Sequence, residues 1–259
     1  PPARLPARPP AHKLQLIVCT CPAARQLYLL LCAADYLLAT KDTALLDRPV
    51  KRGSKHMTVG HGLRRALDFV TQTVGVGPHG LLRELTSDWD DGLAVRPDFS
   101  SDFNTSESVL TAALATHALA RFAAAMRLVG DGKSAAVAEG VAERQRVAIR
   151  RSAFNGDWLR RAWFGNTTGW IGDRGVAAPH APGPFSAQHG WAMLGGVFDA
   201  ADDVLNRSLY SLGQRCSSPF GIAYWCQGMA DDASGADGVG GADGVGGADG
   251  VGGADGVGG

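Results

Sequence analysis

The chain is organised around the stretch Gly77–Gly92, which reads GPHGLLRELTSDWDDG. A turn rich in glycine and proline opens the stretch, and a short apolar patch follows. It then ends in a loop where three carboxylates surround one tryptophan: Asp88, Trp89, Asp90 and Asp91. Because carboxyl groups and a flat apolar side chain coincide here, we interpret this loop as the candidate active site and the flanking segments as its scaffold.

Helical periodicity flanks the loop on both sides. Apolar residues recur at three- and four-residue spacing over residues 25–38 and over His61–Val74, which predicts amphipathic helices. The segment Glu107–Val129 is apolar on almost every face, as expected for a helix buried between neighbours. Thr105 or Ser106 is a suitable cap for that helix, with the Glu107 carboxylate in its first turn.

The remaining segments continue the helical pattern. The stretch Val50–Thr58 is basic and polar, so a loop is predicted there. A helix is predicted over Ser134–Ala153, a hairpin lying over a helix end within Phe154–Gly175, and another helical pair within Phe185–Leu212. Helix following helix, with the connecting loops on one side, predicts an all-α fold of the α/α toroid type whose loops carry the function.

Composition divides the chain into three parts. Residues 1–24 are rich in proline, and residues 232–259 contain four copies of GADGVG, so neither end is expected to form a core. Residues 25–231 form the predicted catalytic domain. The apolar run Leu14–Leu38 is interrupted by Pro22 and charged residues, so no membrane span is predicted there.

Charge and cysteine content exclude some functions. Lysine plus arginine and aspartate plus glutamate number 25 each, which argues against a nucleic-acid partner. Five cysteines without a CxxC pair favour a reduced compartment, and we expect the cytoplasm. No two histidines have ligand spacing, so no metal site is predicted. His117 is expected to be a core residue, and His189 to line a cleft.

The chemistry of the acidic loop has two interpretations. Inverting cleavage of a glycosidic bond needs a carboxylic acid to protonate the leaving oxygen. An adjacent indole lowers the local polarity and raises the pKa of that acid, and neighbouring carboxylates act in the same direction. Alternatively, the loop is solvated and its aspartates only cap turns.

Several segments together carry a resemblance to a known family. They are Ala34–Asp42 with Leu46–Asp47, Arg65–Phe69, Gly80–Leu81 with Asp88–Leu93, Glu107–Val109, Asn155–Trp158 with Arg161–Trp163, and Gln188–Ala192. The DW-x-DG loop is the most specific of them. In this order they resemble glycoside hydrolase family 94, the inverting phosphorylases of cellobiose, chitobiose and cellobionate and the related module of cyclic β-1,2-glucan synthases.

This resemblance implies a partial (α/α)6 toroid of the six-hairpin glycosidase type. It assigns the general acid to Asp91 and sugar contacts to Trp89, Asp88, Glu107 and Gln188. It also implies a β-linked disaccharide or oligosaccharide as substrate and inorganic phosphate as co-substrate, without a cofactor. We further expect a partial copy of the family domain, and a homodimer for the complete protein.

The resemblance leaves two alternatives. Asp90 stands where the family has an asparagine, and its charge disfavours an incoming phosphate dianion. An inverting hydrolase, with Glu107 or Asp102 as base, is therefore the alternative enzyme. The other alternative is an inactive, truncated homologue.

Overall fold

The computed structural model describes residues 23–52, 54–85, 105–174, 183–199, 201–219 and 221–222. Within these residues the chain forms helices α1 (Ala23–Thr40), α2 (Val59–Asp68), α3 (Val109–Leu128), α4 (Gly132–Ala148), α5 (Gly165–Thr168), α6 (Ala187–Leu194) and α7 (Asp203–Cys216). A 3₁₀ helix spans Thr43–Asp47, and π-helical turns at Phe69–Val74 and Ile149–Ala153 continue α2 and α4. The predicted all-α class is confirmed.

The strands are short and form three small antiparallel sheets within the described residues. They are β1 (Pro49–Arg52) with β2 (Lys55–Thr58), then β3 (Glu107–Ser108), β4 (Ala162–Trp163) and β5 (Trp170–Ile171), and finally β6 (Ser217–Ser218) with β7 (Gly221–Ile222). The β4–β5 hairpin lies within the segment where a hairpin was predicted.

Helix α3 lies between α1, α4 and α6 and forms the centre of the core. Most of its alanines are buried, which lets neighbouring helices approach closely: Ala112, Ala113, Ala115, Ala118, Ala123 and Ala125. The helix is long and apolar enough to cross a membrane, but 78% of its most apolar window is buried inside the protein. This burial is normal for a core helix, as the sequence predicted.

Gly195 makes the contact between the end of α6 and α3 possible. A Cβ atom at this position would lie 2.7 Å from the Cβ of Thr116, and closer still to the Thr116 hydroxyl. Only glycine therefore fits, and the backbone after α6 lies directly against α3.

The segment Val50–Thr58 is a β-hairpin, so the predicted loop is wrong. Val50 and Met57 lie directly opposite each other and pack against the main core. The neighbouring Lys51 and His56 are exposed. Because the hairpin contributes so few apolar residues, its alternation is hidden among basic side chains.

The start of α3 also differs from the prediction. Ser108, rather than Thr105 or Ser106, is the cap, and its Oγ accepts a hydrogen bond from the Thr111 N–H at 3.0 Å. Glu107 lies in β3 instead of in the first helical turn. Pairing with β4 extends the backbone at Glu107, which delays the helix by two residues.

Both ends of the chain lie outside the described residues. Helix α1 begins at Ala23, which is the first described residue. The preceding proline-rich residues and the GADGVG repeats lie outside the described residues, so those predictions are not examined by the structure.

Candidate active site

The acidic loop lies outside the described residues, which stop at Leu85 and resume at Thr105. The structure therefore does not describe Asp88, Trp89, Asp90, Asp91 and Asp102. It does describe where the loop begins and ends. The Glu84 N–H donates to the Ser106 carbonyl and the Ser108 N–H donates to the Leu82 carbonyl, both at 3.0 Å. This antiparallel pairing holds the two ends side by side at the edge of the β3–β4–β5 sheet.

Glu107, a predicted sugar contact, is completely buried in this sheet. Its Oε1 accepts the backbone N–H groups of His79 and Leu81, each at 3.0 Å, and its Oε2 lies 2.5 Å from Nδ1 of His79. Burial raises the pKa of the Glu107 carboxyl, although the hydrogen bonds from His79 and Leu81 oppose that effect. The carboxyl group thus holds the preceding glycine-rich turn in place.

The burial of Glu107 also bears on the hydrolase alternative. A general base has to reach the water that it activates, directly or through one bridging water. Both carboxylate oxygens of Glu107 are engaged and neither reaches solvent. This arrangement argues against Glu107 as the base, and Asp102 is the remaining candidate.

Gln188, the other predicted sugar contact that the structure describes, is buried at the start of α6. Its Nε2 donates to the carbonyls of Leu159 at 3.0 Å and Arg160 at 3.5 Å, so two acceptors fix the orientation of the amide. Its Oε1 makes no hydrogen bond to any described residue. A buried acceptor without a donor is uncommon, but this oxygen, like those of Glu107, does not reach solvent in the structure.

His189 does not line a cleft, and that prediction is wrong. The ring is buried, with Nε2 accepting the Leu159 N–H at 2.9 Å and Nδ1 donating to the Phe185 carbonyl at 2.7 Å. Burial lowers the pKa of His189 to about 4. A neutral imidazole at the start of α6 therefore binds the Leu159 N–H and the Phe185 carbonyl and has a structural role.

His117 was expected in the core, but its side chain is only half-buried. Its Nδ1 contacts the Leu194 carbonyl at 3.1 Å.

Two residues beside the loop ends were not predicted to belong to the site. His79 was seen only as part of a turn, although its ring faces Glu107. Arg161 was noted only in the family-like segment, yet it is the largest fully buried side chain in the described part, with Nη1 3.5 Å from the Ser108 Oγ. A buried arginine costs free energy unless polar groups surround it, but no pattern in the sequence marked Arg161 as buried.

A family comparison decides what kind of domain this is. The model of the glycosyl hydrolase 94 superfamily catalytic domain matches residues 18–223. The chain belongs to this family. As a glycosyl hydrolase 94 superfamily member, it is a carbohydrate-active enzyme domain with an all-α, glycosidase-like fold. The comparison with curated proteins found no match.

Metal binding was not predicted for this glycosyl hydrolase 94 domain. Among the described residues, no group of three or more histidine, cysteine, aspartate or glutamate side chains is arranged to hold a metal ion. The acidic loop is not part of that set, so the expectation of no metal stays a prediction.

Proposed function

We propose that the domain transfers a glycosyl unit from a β-glucoside to inorganic phosphate with inversion, giving a sugar 1-phosphate. Asp91 donates its proton to the glycosidic oxygen while a phosphate oxygen attacks the anomeric carbon from the opposite face. The carbon–oxygen bond to the leaving sugar breaks, and that sugar departs as an alcohol. Since phosphate is already an anionic nucleophile, no carboxylate base is required.

The family match is the observation that carries this proposal, because it spans the whole DWDDG loop and its surroundings. In the proposed site, Trp89 provides the apolar plane beside Asp91, and Asp88 and Gln188 bind sugar hydroxyls. The role of Gln188 rests on the family-like segment Gln188–Ala192, since its side chain is completely buried in the structure. Because Glu107 is buried behind His79, we assign it the task of holding His79.

Asp90 favours a second candidate, inverting hydrolysis. A carboxylate next to the acid repels a phosphate dianion but not a neutral water molecule. In this alternative Asp91 remains the acid, and a loop carboxylate such as Asp102 activates the water.

One experiment separates the two. The full chain is incubated with a panel of β-linked glucose disaccharides, with and without phosphate, and sugar 1-phosphate and free glucose are measured. The proposal predicts sugar 1-phosphate only when phosphate is present, whereas equal release of glucose without phosphate supports hydrolysis. Asp91→Asn is expected to abolish either activity, and the exposed Asp68→Asn serves as the control.

Partners and compartment remain proposals. We propose phosphate and a β-glucoside as the only small-molecule partners, no nucleic acid or membrane partner, and a homodimer for the complete protein. The cytoplasm stays the predicted compartment.

One observation argues against that prediction. Cys216 is disulfide-bonded, whereas Cys32 is free, and a disulfide is more typical of oxidising compartments.

A further inference from the structure

Three side chains form a row across the β3–β4–β5 sheet. Glu107 lies directly opposite Trp163, and Trp163 lies directly opposite Trp170. Residues opposite each other on neighbouring strands point to the same face, so this row occupies one face. The other face carries Ser108, Ala162 and Ile171, which are all buried. The sheet therefore has a packed face and a face with a carboxyl group followed by two indoles.

His79 lies against this row. Its ring centroid is 4.8 Å from that of Trp163 and 4.7 Å from that of Trp170, and the two indole centroids are 5.4 Å apart. The two tryptophans are half-buried, and 27% of the His79 side chain is exposed. The three rings thus form one cluster that is accessible from one side.

Glu107 determines which nitrogen of His79 is available. The Glu107 Oε2 lies 2.5 Å from Nδ1 of His79, so that nitrogen is already engaged. The Glu107 Oε1 accepts a hydrogen bond from the His79 backbone N–H. A buried carboxylate on one ring nitrogen fixes the orientation of the imidazole. Among the described residues, Nε2 of His79 forms no hydrogen bond, and the ring that carries it contacts both indoles.

Neighbouring charges hold the cluster in shape. The guanidinium of Arg160 lies over the Trp170 ring at 5.1 Å from its centroid, and it forms an ion pair with Asp173 at 2.7 Å. Arg151 donates to the His79 carbonyl at 3.1 Å. The rings are consequently held in place before any ligand arrives, which reduces the entropy lost on binding.

We propose that His79, Trp163 and Trp170 form a sugar-binding subsite beside the acidic loop. In this subsite Nε2 of His79 hydrogen-bonds a hydroxyl of a glucosyl unit, and the indole of Trp170 packs against the apolar face of the sugar ring. Glu107 is a positioning residue that acts through His79. The substrate class rests on the proposed function, whereas the subsite itself rests on the geometry of the cluster. A rigid apolar plane next to one oriented polar group is the combination that small-molecule sites use.

The test compares two substitutions of the same histidine. The amide nitrogen of His79→Asn occupies roughly the place of Nδ1, so it retains the bond to Glu107 while Nε2 is lost. Binding of cellobiose and the other disaccharides of the panel to the full chain is measured by calorimetry without phosphate. We expect His79→Asn to weaken binding by about fivefold or more. His79→Gln, whose amide reaches the Nε2 position, should retain more of the affinity.

Two further variants complete the design. Trp170→Leu is expected to weaken binding similarly, and it decides the question if the histidine variants do not fold. Tyr210→Ala, at a side chain that is 70% exposed on α7, should bind as the wild type does. Unchanged affinity in His79→Asn or in Trp170→Leu overturns the subsite, as does a wild-type chain that binds no member of the panel.

The outcome is distinguishable from that of the proposed function. Phosphate-dependent turnover together with unchanged binding in His79→Asn rejects the subsite alone. Weakened binding in His79→Asn together with phosphate-independent turnover retains the subsite and rejects the phosphorylase.

Discussion

Gly77 lies against the side chain of Glu107, so closely that a Cβ atom at position 77 would be 2.7 Å from the Glu107 carboxyl carbon. In proteins, a Cβ atom and a non-bonded heavy atom essentially never come closer than 3.0 Å. The turn that carries His79 can therefore close over the buried carboxyl group only because residue 77 has no side chain.

This contact predicts that Gly77→Ala destabilises the domain by about 1–3 kcal/mol, the usual cost of overpacking a tight site. The free energy of unfolding in urea measures the effect. Gly213→Ala is the matched control, because that position lies in α7 with no atom within 4 Å of an added Cβ. The control should be stabilised by about 0.5–1 kcal/mol. Equal stabilities for both variants would contradict the contact.

Glu107 allows a comparison between removing an acceptor and removing a charge. Glu107→Ala leaves the N–H groups of His79 and Leu81 without their acceptor inside the protein. Each such loss costs about 1–3 kcal/mol, so we expect a loss of several kcal/mol in urea unfolding. Glu107→Gln keeps an oxygen for both N–H groups and should cost less than half as much. If the two variants are equally unstable, the charge matters more than the hydrogen bonds.

His189 predicts how stability depends on pH. Its pKa in the folded state is about 4, below the ordinary value of about 6.5, so the unfolded chain takes up the proton first as the pH falls. Stability is therefore lost between about pH 6.5 and pH 4, and the loss reaches about 2 kcal/mol at pH 5. Urea unfolding between pH 4.5 and pH 8 measures it.

The control for this pH effect is a second histidine variant. His189→Gln should be less stable at pH 7, because hydrogen bonds to Leu159 and Phe185 are lost. It should also lack the decline that His189 causes on acidification. His61→Gln, at an exposed position, should keep that decline. An unchanged decline in His189→Gln would show that another group titrates.

Asp90 predicts how the domain treats phosphate. Asp90→Asn removes one negative charge beside the proposed acid, so it should lower the KM for phosphate by about tenfold, as expected for one like-charge repulsion of about 1–2 kcal/mol. Initial rates at varied phosphate measure this, with Asp68→Asn as the control. An unchanged KM would mean that the Asp90 side chain points away from the phosphate.

Local patterns were enough to predict the helices. Residues 25–38 and His61–Val74 repeat their apolar side chains at helical spacing, and α1 and α2 with its π-helical turn form at those places. The buried α3 was predicted from a different local pattern, because its sequence is apolar on almost every face and leaves no polar face for solvent. Such signals lie within a few residues of each other along the chain.

The arrangement around His79 was not predictable in this way. Glu107, Trp163 and Trp170 meet only because three two-residue strands pair, and strands that short have no periodicity to detect. The register of β3 also moved the helix cap to Ser108. Likewise His189 was expected in a cleft, and only the positions of the Leu159 N–H and the Phe185 carbonyl made it a buried structural residue.

The sequence by itself determined the all-α class, the main helices and membership of a carbohydrate-active family, because periodicity and short motifs are properties of neighbouring residues. The tertiary structure alone decided that Glu107 is buried behind His79. It also decided that the indoles of Trp163 and Trp170, which are far away along the chain, lie beside this pair. Those facts depend on contacts between residues far apart in the chain, where packing and hydrogen-bond satisfaction select one arrangement.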